Sequence, residues 1–436
     1  MINNNDFEQL NNLVINKYKF LYSNYPHTFS IFETMIRTHE FQRYAQLENQ
    51  KIVYFSKEKS KAFRVMRFAI EVQNFLLKKN KKPSVYIELR RFELLSELID
   101  SELKNNKIET KVVKNYNSSI YKIKDLLIFR YNDFKSTLLR DKTFDNIDYI
   151  FKSITNQSGF EKNIPLFDKI ESLLLKEVKA AKKWLTVMQV THLVLLEDHE
   201  PRTRVLLSAS KELNIPSFTF CHGYIQDPSF ITILPINCTR LYVWDESQRN
   251  TILSKGVKKE KVEVFTFPKI FDLKNIESAS QNILIVCEPF FDNPYIDGKI
   301  FDYLEEIIVF SSKIEDVTVR IRPHPKEMNN DLLTKYFLNL NVEISNESLK
   351  DDFQKSSLVL GSNSSTLLES YHSGLETFQF EEFHRNDFPK IKKLNIDQVK
   401  DKIANIKSVK RNRASNDIKI SLENKVKEFV SDNILW

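Results

Sequence analysis

Four short polar segments of this chain combine residue types that handle anions and protons. Ser362-Asn-Ser-Ser-Thr366 places four hydroxyls in five positions between an apolar run and a helical one. Hydroxyls and unbonded backbone N–H groups converge at such a helix start, where the dipole adds about half a positive charge, so Ser364, Ser365 and Thr366 are candidates for binding a phosphate or diphosphate. The plain alternative is a helix cap, because Thr366-Leu-Leu-Glu369 has capping-box spacing. Arg322-Pro-His-Pro-Lys326 follows an apolar run directly. Its two prolines hold the backbone extended and aim His324 at a set angle. His324 would donate to a phosphate oxygen and stabilise a departing nucleotide, and Arg322 would offer a guanidinium fork to the same anion. A rigid surface turn carrying a solvated basic pair is the alternative.

Two further segments suit proton transfer. Glu197-Asp198-His199-Glu200 ends a strongly apolar run, and Glu197 or Asp198 there is a candidate base for an acceptor hydroxyl. The alternative is a solvated helix start, with Pro201 in its first turn. Cys221-His222-Gly223 ends the next apolar run, making His222 a rival base and Gly223 a point where a ligand could approach the backbone. A histidine that caps a strand would look the same. Trp244-Asp245-Glu246 and Phe267-Pro268-Lys269 read as strand-end packing and a domain crossover.

Elements that would position these segments alternate along the chain as short apolar runs and longer helical patterns, the mark of parallel sheets flanked by helices. Expected strands are Lys51–Ser56, Ser84–Glu88, Leu126–Phe129, Thr191–Leu196, Pro216–Cys221, Leu241–Trp244 and Val262–Phe265, with helices at 61–78, 165–190 and 204–213. A polar stretch at 272–281 reads as a linker. A second alternation follows, with strands at Asn282–Cys287, Val317–Arg322, Val342–Ile344 and Ser357–Leu360. Helices are expected at Tyr303–Ser312, Leu332–Leu338, Leu349–Lys355 and Leu367–His372, with a closing helix at Ile418–Val430. The expected organisation is α/β with two parallel-sheet domains, 1–271 and 282–436. In open sheets of this kind ligands bind at the carboxyl ends of strands, where the polar segments fall.

Composition narrows the function. The chain has 436 residues, 42% hydrophobic and 28% charged, which excludes a disordered tail, a fibre or a disulfide miniprotein and makes two domains the expectation. A net charge of +7, spread along the chain, suits anionic ligands or an anionic membrane face without pointing to nucleic acid. Three cysteines without CxxC spacing argue against a metal site or a disulfide frame and fit a reducing cytoplasm. The polar, acidic start Met1-Ile-Asn-Asn-Asn-Asp-Phe-Glu8 is unlike a signal peptide, and no run reaches the roughly 18 apolar residues of a membrane span. No GxSxG elbow, Walker loop, HExxH or GxGxxG occurs.

Taken in order, Pro216-Ser-Phe-Thr-Phe-Cys-His222-Gly223, Leu241-Tyr-Val-Trp244, Gly256, Lys261-Val-Glu-Val264, Arg322-Pro-His-Pro325 and Ser362-Asn-Ser-Ser-Thr-Leu-Leu-Glu369 with Gly374 resemble the GT-B glycosyltransferases of bacterial surface-polysaccharide assembly. The capsule-type transferases that use CMP-activated acidic sugars are the nearest in pattern. CDP-glycerol glycerophosphotransferases have a similar layout. The resemblance covers roughly Thr191 to Gly374. It implies two Rossmann-like domains facing each other across a cleft, with the nucleotide held by the second through His324 and Ser364–Thr366, and Glu369 reaching the ribose or base. Bacterial sialyltransferases pair such a His-Pro motif with two acidic residues and a glycine, whereas here Glu197-Asp198 is followed by His199. The resemblance further implies a metal-independent, inverting sugar transfer with no cofactor beyond the nucleotide-sugar donor. The acceptor would be a glycan or glycolipid of a capsule or lipopolysaccharide, and the location cytoplasmic, with room for peripheral contact at the inner membrane. Alternatives are a glycerophosphotransferase, a sugar-nucleotide 2-epimerase, which would normally show a glycine-rich loop in the place of Ser362–Ser365, and a noncatalytic member of a polysaccharide assembly complex.

Overall fold

A computed structural model describes, with short gaps, residues 14–36, 82–112, 164–196, 201–221, 223–224, 234–267, 281–288, 298–325, 342–383, 390–406 and 414–435, together with a few single positions. The expected strands Lys51–Ser56 and Leu126–Phe129, the helix at 61–78 and most of the helix Leu332–Leu338 lie outside the described residues. The chain divides into two compact units, Met1–Pro268 with Lys425–Trp436, and Lys269–Asn424. The linker expected at 272–281 is described only at Leu273 and at Gln281, which already opens a strand.

The first unit is built on a parallel sheet of six strands: β1 (Ser84–Glu88), β2 (Glu109–Val112), β3 (Val190–Leu196), β4 (Ser217–Phe220), β5 (Arg240–Val243) and β6 (Val262–Val264), in the order β2-β1-β3-β4-β5-β6. Every neighbouring pair is parallel, so each connection is a crossover. β1 and β4 are buried along nearly their whole length, as expected of strands covered on both faces. On one face the helix Ile164–Val187 lays Trp184 edge-on against Tyr86, ring centroids 5.0 Å apart. On the other face Phe218, Phe220 and Tyr242 form an aromatic layer with Phe265. The last helix, Ala414–Asn433, carries Phe429 into that layer. This helix was expected to close the second unit, but its final residues belong to the first, because four rings there give Phe429 an apolar seat.

The second unit has its own six-stranded parallel sheet: β7 (Gln281–Val286), β8 (Val317–Arg322), β9 (Glu343–Ile344), β10 (Leu358–Gly361), β11 (Glu376–Phe380) and β12 (Lys392–Leu394). The order is β12-β11-β10-β7-β8-β9, all parallel. Numbered within the unit and read from β9, this is 3-2-1-4-5-6, the Rossmann order. Both units are Rossmann-like parallel α/β sheets, the first with the order 2-1-3-4-5-6. The strand order reverses between β7 and β10, which pair with Gly361 level with Val286. Helix Lys299–Ser311 covers one face through Ile300, Leu304, Ile307 and Ile308, packed on Ile283, Ile285, Val319 and Ile321. No helix among the described residues is long and apolar enough to cross a membrane.

Candidate functional site

Three neighbouring strands bring the second unit's polar segments to one edge. Register pairs Val286 of β7 with Arg322 of β8 on one side and with Gly361 of β10 on the other. Their carboxyl ends therefore stand level. His324, two residues beyond Arg322, and the loop beyond Gly361 follow strands that flank β7 and lie roughly 10 Å apart at two strand spacings. This is the topological switch point, where an open α/β sheet leaves a crevice because successive crossovers leave in opposite directions.

Local packing explains the path of the loop. A Cβ on Gly361 would stand 2.7 Å from the Val286 carbonyl oxygen, so only glycine lets β10 end this close to β7. Past it the loop divides in two. Ser362 and Asn363 are buried and bonded inward: Ser362 Oγ donates to Glu288 Oε1 at 2.5 Å, and Asn363 Nδ2 donates to the same oxygen at 2.8 Å. Asn363 Nδ2 also donates to the Phe383 carbonyl at 2.9 Å, and Gln379 Nε2 donates to the Ser362 carbonyl at 2.5 Å. Ser364, Ser365 and Thr366 are half-buried. Ser362, counted among the hydroxyls of the motif, is therefore taken up by a carboxylate. Glu288 escaped sequence reasoning; its only signal was a carboxylate directly after the apolar strand that ends at Cys287.

The capping-box alternative does not form. Ser365 is the N-cap of helix Thr366–His372 and makes no side-chain cap bond, while Ser364 Oγ accepts the Thr366 N–H at 3.3 Å. The Ser364 hydroxyl thus bonds the first helical N–H, while that of the N-cap Ser365 does not cap the helix. Glu369 is buried in the first turn, which leaves little of it to meet a ribose.

Arg322, expected to meet the donor anion, has partners within the unit. Its Nη1 donates to Asp352 Oδ2 and, at 2.9 Å, to the Glu347 carbonyl. Asp352 is fully buried on helix Leu349–Lys355, where Arg320 Nη1 lies 3.3 Å from Oδ1 and Ser345 Oγ donates to it at 2.6 Å. A buried carboxylate without a cation is costly, so the strand's two arginines, on one face by the two-residue period, neutralise it. Of the fork drawn for a donor anion, Nη1 is engaged within the unit. His324 sits half-buried beyond β8, and its carbonyl accepts the Glu327 N–H at 2.7 Å.

The helix that begins at the hydroxyl loop ends on His372, which is buried. Burial, with Lys390 adding repulsion, pushes its imidazole down to about 4. The unfolded chain then binds the extra proton, so the contribution of the neutral ring is complete above about pH 6.5 and is lost as the pH falls toward 4. Between pH 7 and pH 5 that loss amounts to about 2 kcal/mol. Urea unfolding at the two pH values should show His372→Leu losing less stability on acidification than the native chain, by this amount. Equal losses would contradict it.

Glu197, Asp198, His199 and His222, the expected bases of the first unit, lie outside the described residues. The positions next to them are described. Cys221 ends β4 with its carbonyl accepting Trp244 Nε1–H at 3.0 Å, and Tyr224 donates its hydroxyl to Asp245 Oδ2 at 2.9 Å. Trp244 also packs edge-on against Phe267 at 4.7 Å, as strand-end packing requires. Asp245 caps the helix Glu246–Leu253 by accepting the Gln248 N–H at 2.8 Å. A Cβ on Gly223 would meet nothing within 4 Å. All three cysteines are buried and none forms a disulfide.

No protein-family model matches the chain, and no curated protein does. Solved structures similar to it include Staphylococcus aureus MnaA with UDP, at 10% identity over 81% of this chain and 96% of that one, with a TM-score of 0.48. The Methanocaldococcus jannaschii UDP-GlcNAc 2-epimerase in complex with UDP-GlcNAc and UDP is 13% identical over 80% of this chain and 99% of that one, TM-score 0.45. Acinetobacter baumannii MurG is 10% identical over 80% and 95%, TM-score 0.36. The fold rests on the two parallel six-stranded sheets themselves, the second of them in the Rossmann order.

Proposed function

We propose that the protein is a GT-B glycosyltransferase that moves a sugar from a nucleotide-activated donor, a CMP-sugar above others, to a hydroxyl of a growing bacterial surface polysaccharide or glycolipid. What carries the reading is one observation: His324 and the segment Ser364–Thr366 follow β8 and β10, whose carboxyl ends stand level on either side of β7 in a Rossmann-order sheet. An imidazole and a group of alcohols on that edge match the needs of a phosphate that gains charge as the bond to the sugar breaks. In the inverting displacement the acceptor hydroxyl would give its proton to Asp198, Glu197 or His222 of the first unit, and the nucleotide would leave against His324. Metal-independent chemistry and a cytoplasmic site, peripheral to the inner membrane, belong to the same proposal.

A thermal-shift panel of CMP, CDP, UDP and GDP with their sugar conjugates tests it. A ligand that binds only the folded chain raises its melting temperature, by about 2.7 kcal/mol of stability at a hundred times its dissociation constant. The expected result is a rise with CMP and its acidic-sugar conjugates. A rise with CDP-glycerol alone would point to glycerophosphate transfer, and donor consumption without any acceptor would point to epimerisation. A chain that answers to no nucleotide is not a transferase of this kind.

A further inference from the structure

The hydroxyl loop rests on a buried carboxylate at the switch point of the second sheet. Glu288 stands two residues past the end of β7, is 8% exposed, and its Oε1 accepts from both Ser362 Oγ and Asn363 Nδ2. The Gln379 amide fixes the Ser362 carbonyl from β11, and the bare Gly361 backbone abuts Val286. Residues 361–363 are thereby held from both neighbouring strands, and the three residues that follow carry the half-buried hydroxyls. We propose that Glu288 is a positioning residue, which fixes the base of the loop so that Ser364, Ser365 and Thr366 meet a nucleotide phosphate already in place, and that it acts as a hydrogen-bond acceptor and not through its charge. The inference rests on the phosphate-binding reading of the loop.

Acceptor and charge have opposite consequences. The bonds to Ser362 and Asn363 order the loop, which favours binding by removing an ordering cost. The negative charge beneath an anion site repels the anion. Substitution separates the two effects. Glu288→Gln keeps a carbonyl oxygen that can accept from both donors and removes the charge. Glu288→Ala removes both.

Calorimetric titration of the full chain with CMP and with CDP should find Glu288→Gln binding at least as tightly as the native protein and Glu288→Ala at least tenfold more weakly, with far-UV circular dichroism unchanged in both. In the unliganded protein, hydrogen exchange at the amides of residues 364–366 should rise in Glu288→Ala and not in Glu288→Gln. The proposal is overturned if Glu288→Ala binds within twofold of the native chain, or if Glu288→Gln is as weak as Glu288→Ala. Should Glu288→Ala fail to fold, Asn363→Ala removes one of the two donors and should give the same loss and the same rise in exchange; unchanged values there overturn the proposal as well. Were the native chain to bind neither nucleotide, the phosphate reading would fail by itself. The exchange comparison would still decide whether Glu288 holds the loop, equal rates overturning that role.

Discussion

His324→Ala should lower sugar transfer from the correct donor by about a hundredfold, the usual cost of removing one donor aimed at developing charge. His324 lies between Pro323 and Pro325, two residues past the end of β8, the strand that pairs with β7 on the side away from β10. As the glycosidic bond breaks, charge moves onto the leaving phosphate. A fixed imidazole donor stabilises that charge more than it stabilises the ground state, so the loss should appear in kcat and in kcat/KM together. The fold should be unaffected. The backbone bond from the Glu327 N–H to the residue 324 carbonyl, which closes a turn, survives the substitution, and the prolines on either side still restrict the backbone. Steady-state kinetics on the donor chosen by the nucleotide panel, with circular dichroism as control, decides it. Near-native turnover would mean that the donor phosphate is held elsewhere.

Phe429→Ala should destabilise the first unit by about 3–5 kcal/mol, the range for deleting a buried aromatic ring. Phe429 is 3% exposed and packs edge-on against Tyr242 at 5.3 Å, Phe218 at 5.5 Å, Phe220 at 5.6 Å and Phe265 at 6.3 Å. Edge-to-face geometry adds to the area buried, and no neighbouring side chain can fill a hole walled by four rigid rings. Phe429→Leu keeps most of the volume and should lose less than half as much. Urea unfolding of the full chain should show an earlier midpoint for the Ala variant. An unchanged midpoint would show that the last helix adds nothing to the first unit's stability.

Elements with a strong period were legible. The bounds of Val317–Arg322 and Leu349–Lys355 agree with expectation at both ends; the strand is rich in β-branched residues and Ser348 caps the helix. β2 and β12 were missed because they are polar edge strands, Glu109-Thr-Lys-Val112 and Lys392-Lys-Leu394, whose composition resembles loop. β11 was missed for a different reason: Gln379 interrupts its apolar run, and that side chain is tolerated only because it bonds the Ser362 carbonyl of the neighbouring loop.

By itself the sequence determined the alternation of strands and helices, the presence of two parallel-sheet units, and the placing of His324 and Ser364–Thr366 just beyond strands. These follow from side-chain periods of two and 3.6 and from proline and glycine punctuation, all of which act within a few residues. Tertiary structure alone decided which strand ends became neighbours, that Asp352 claims Arg322, that Glu288 claims Ser362 and Asn363, and that the last helix returns to the first unit. Each is a pairing between residues far apart in the chain. The partner of a buried charge or ring is fixed by what desolvation leaves within reach, and no local pattern encodes that.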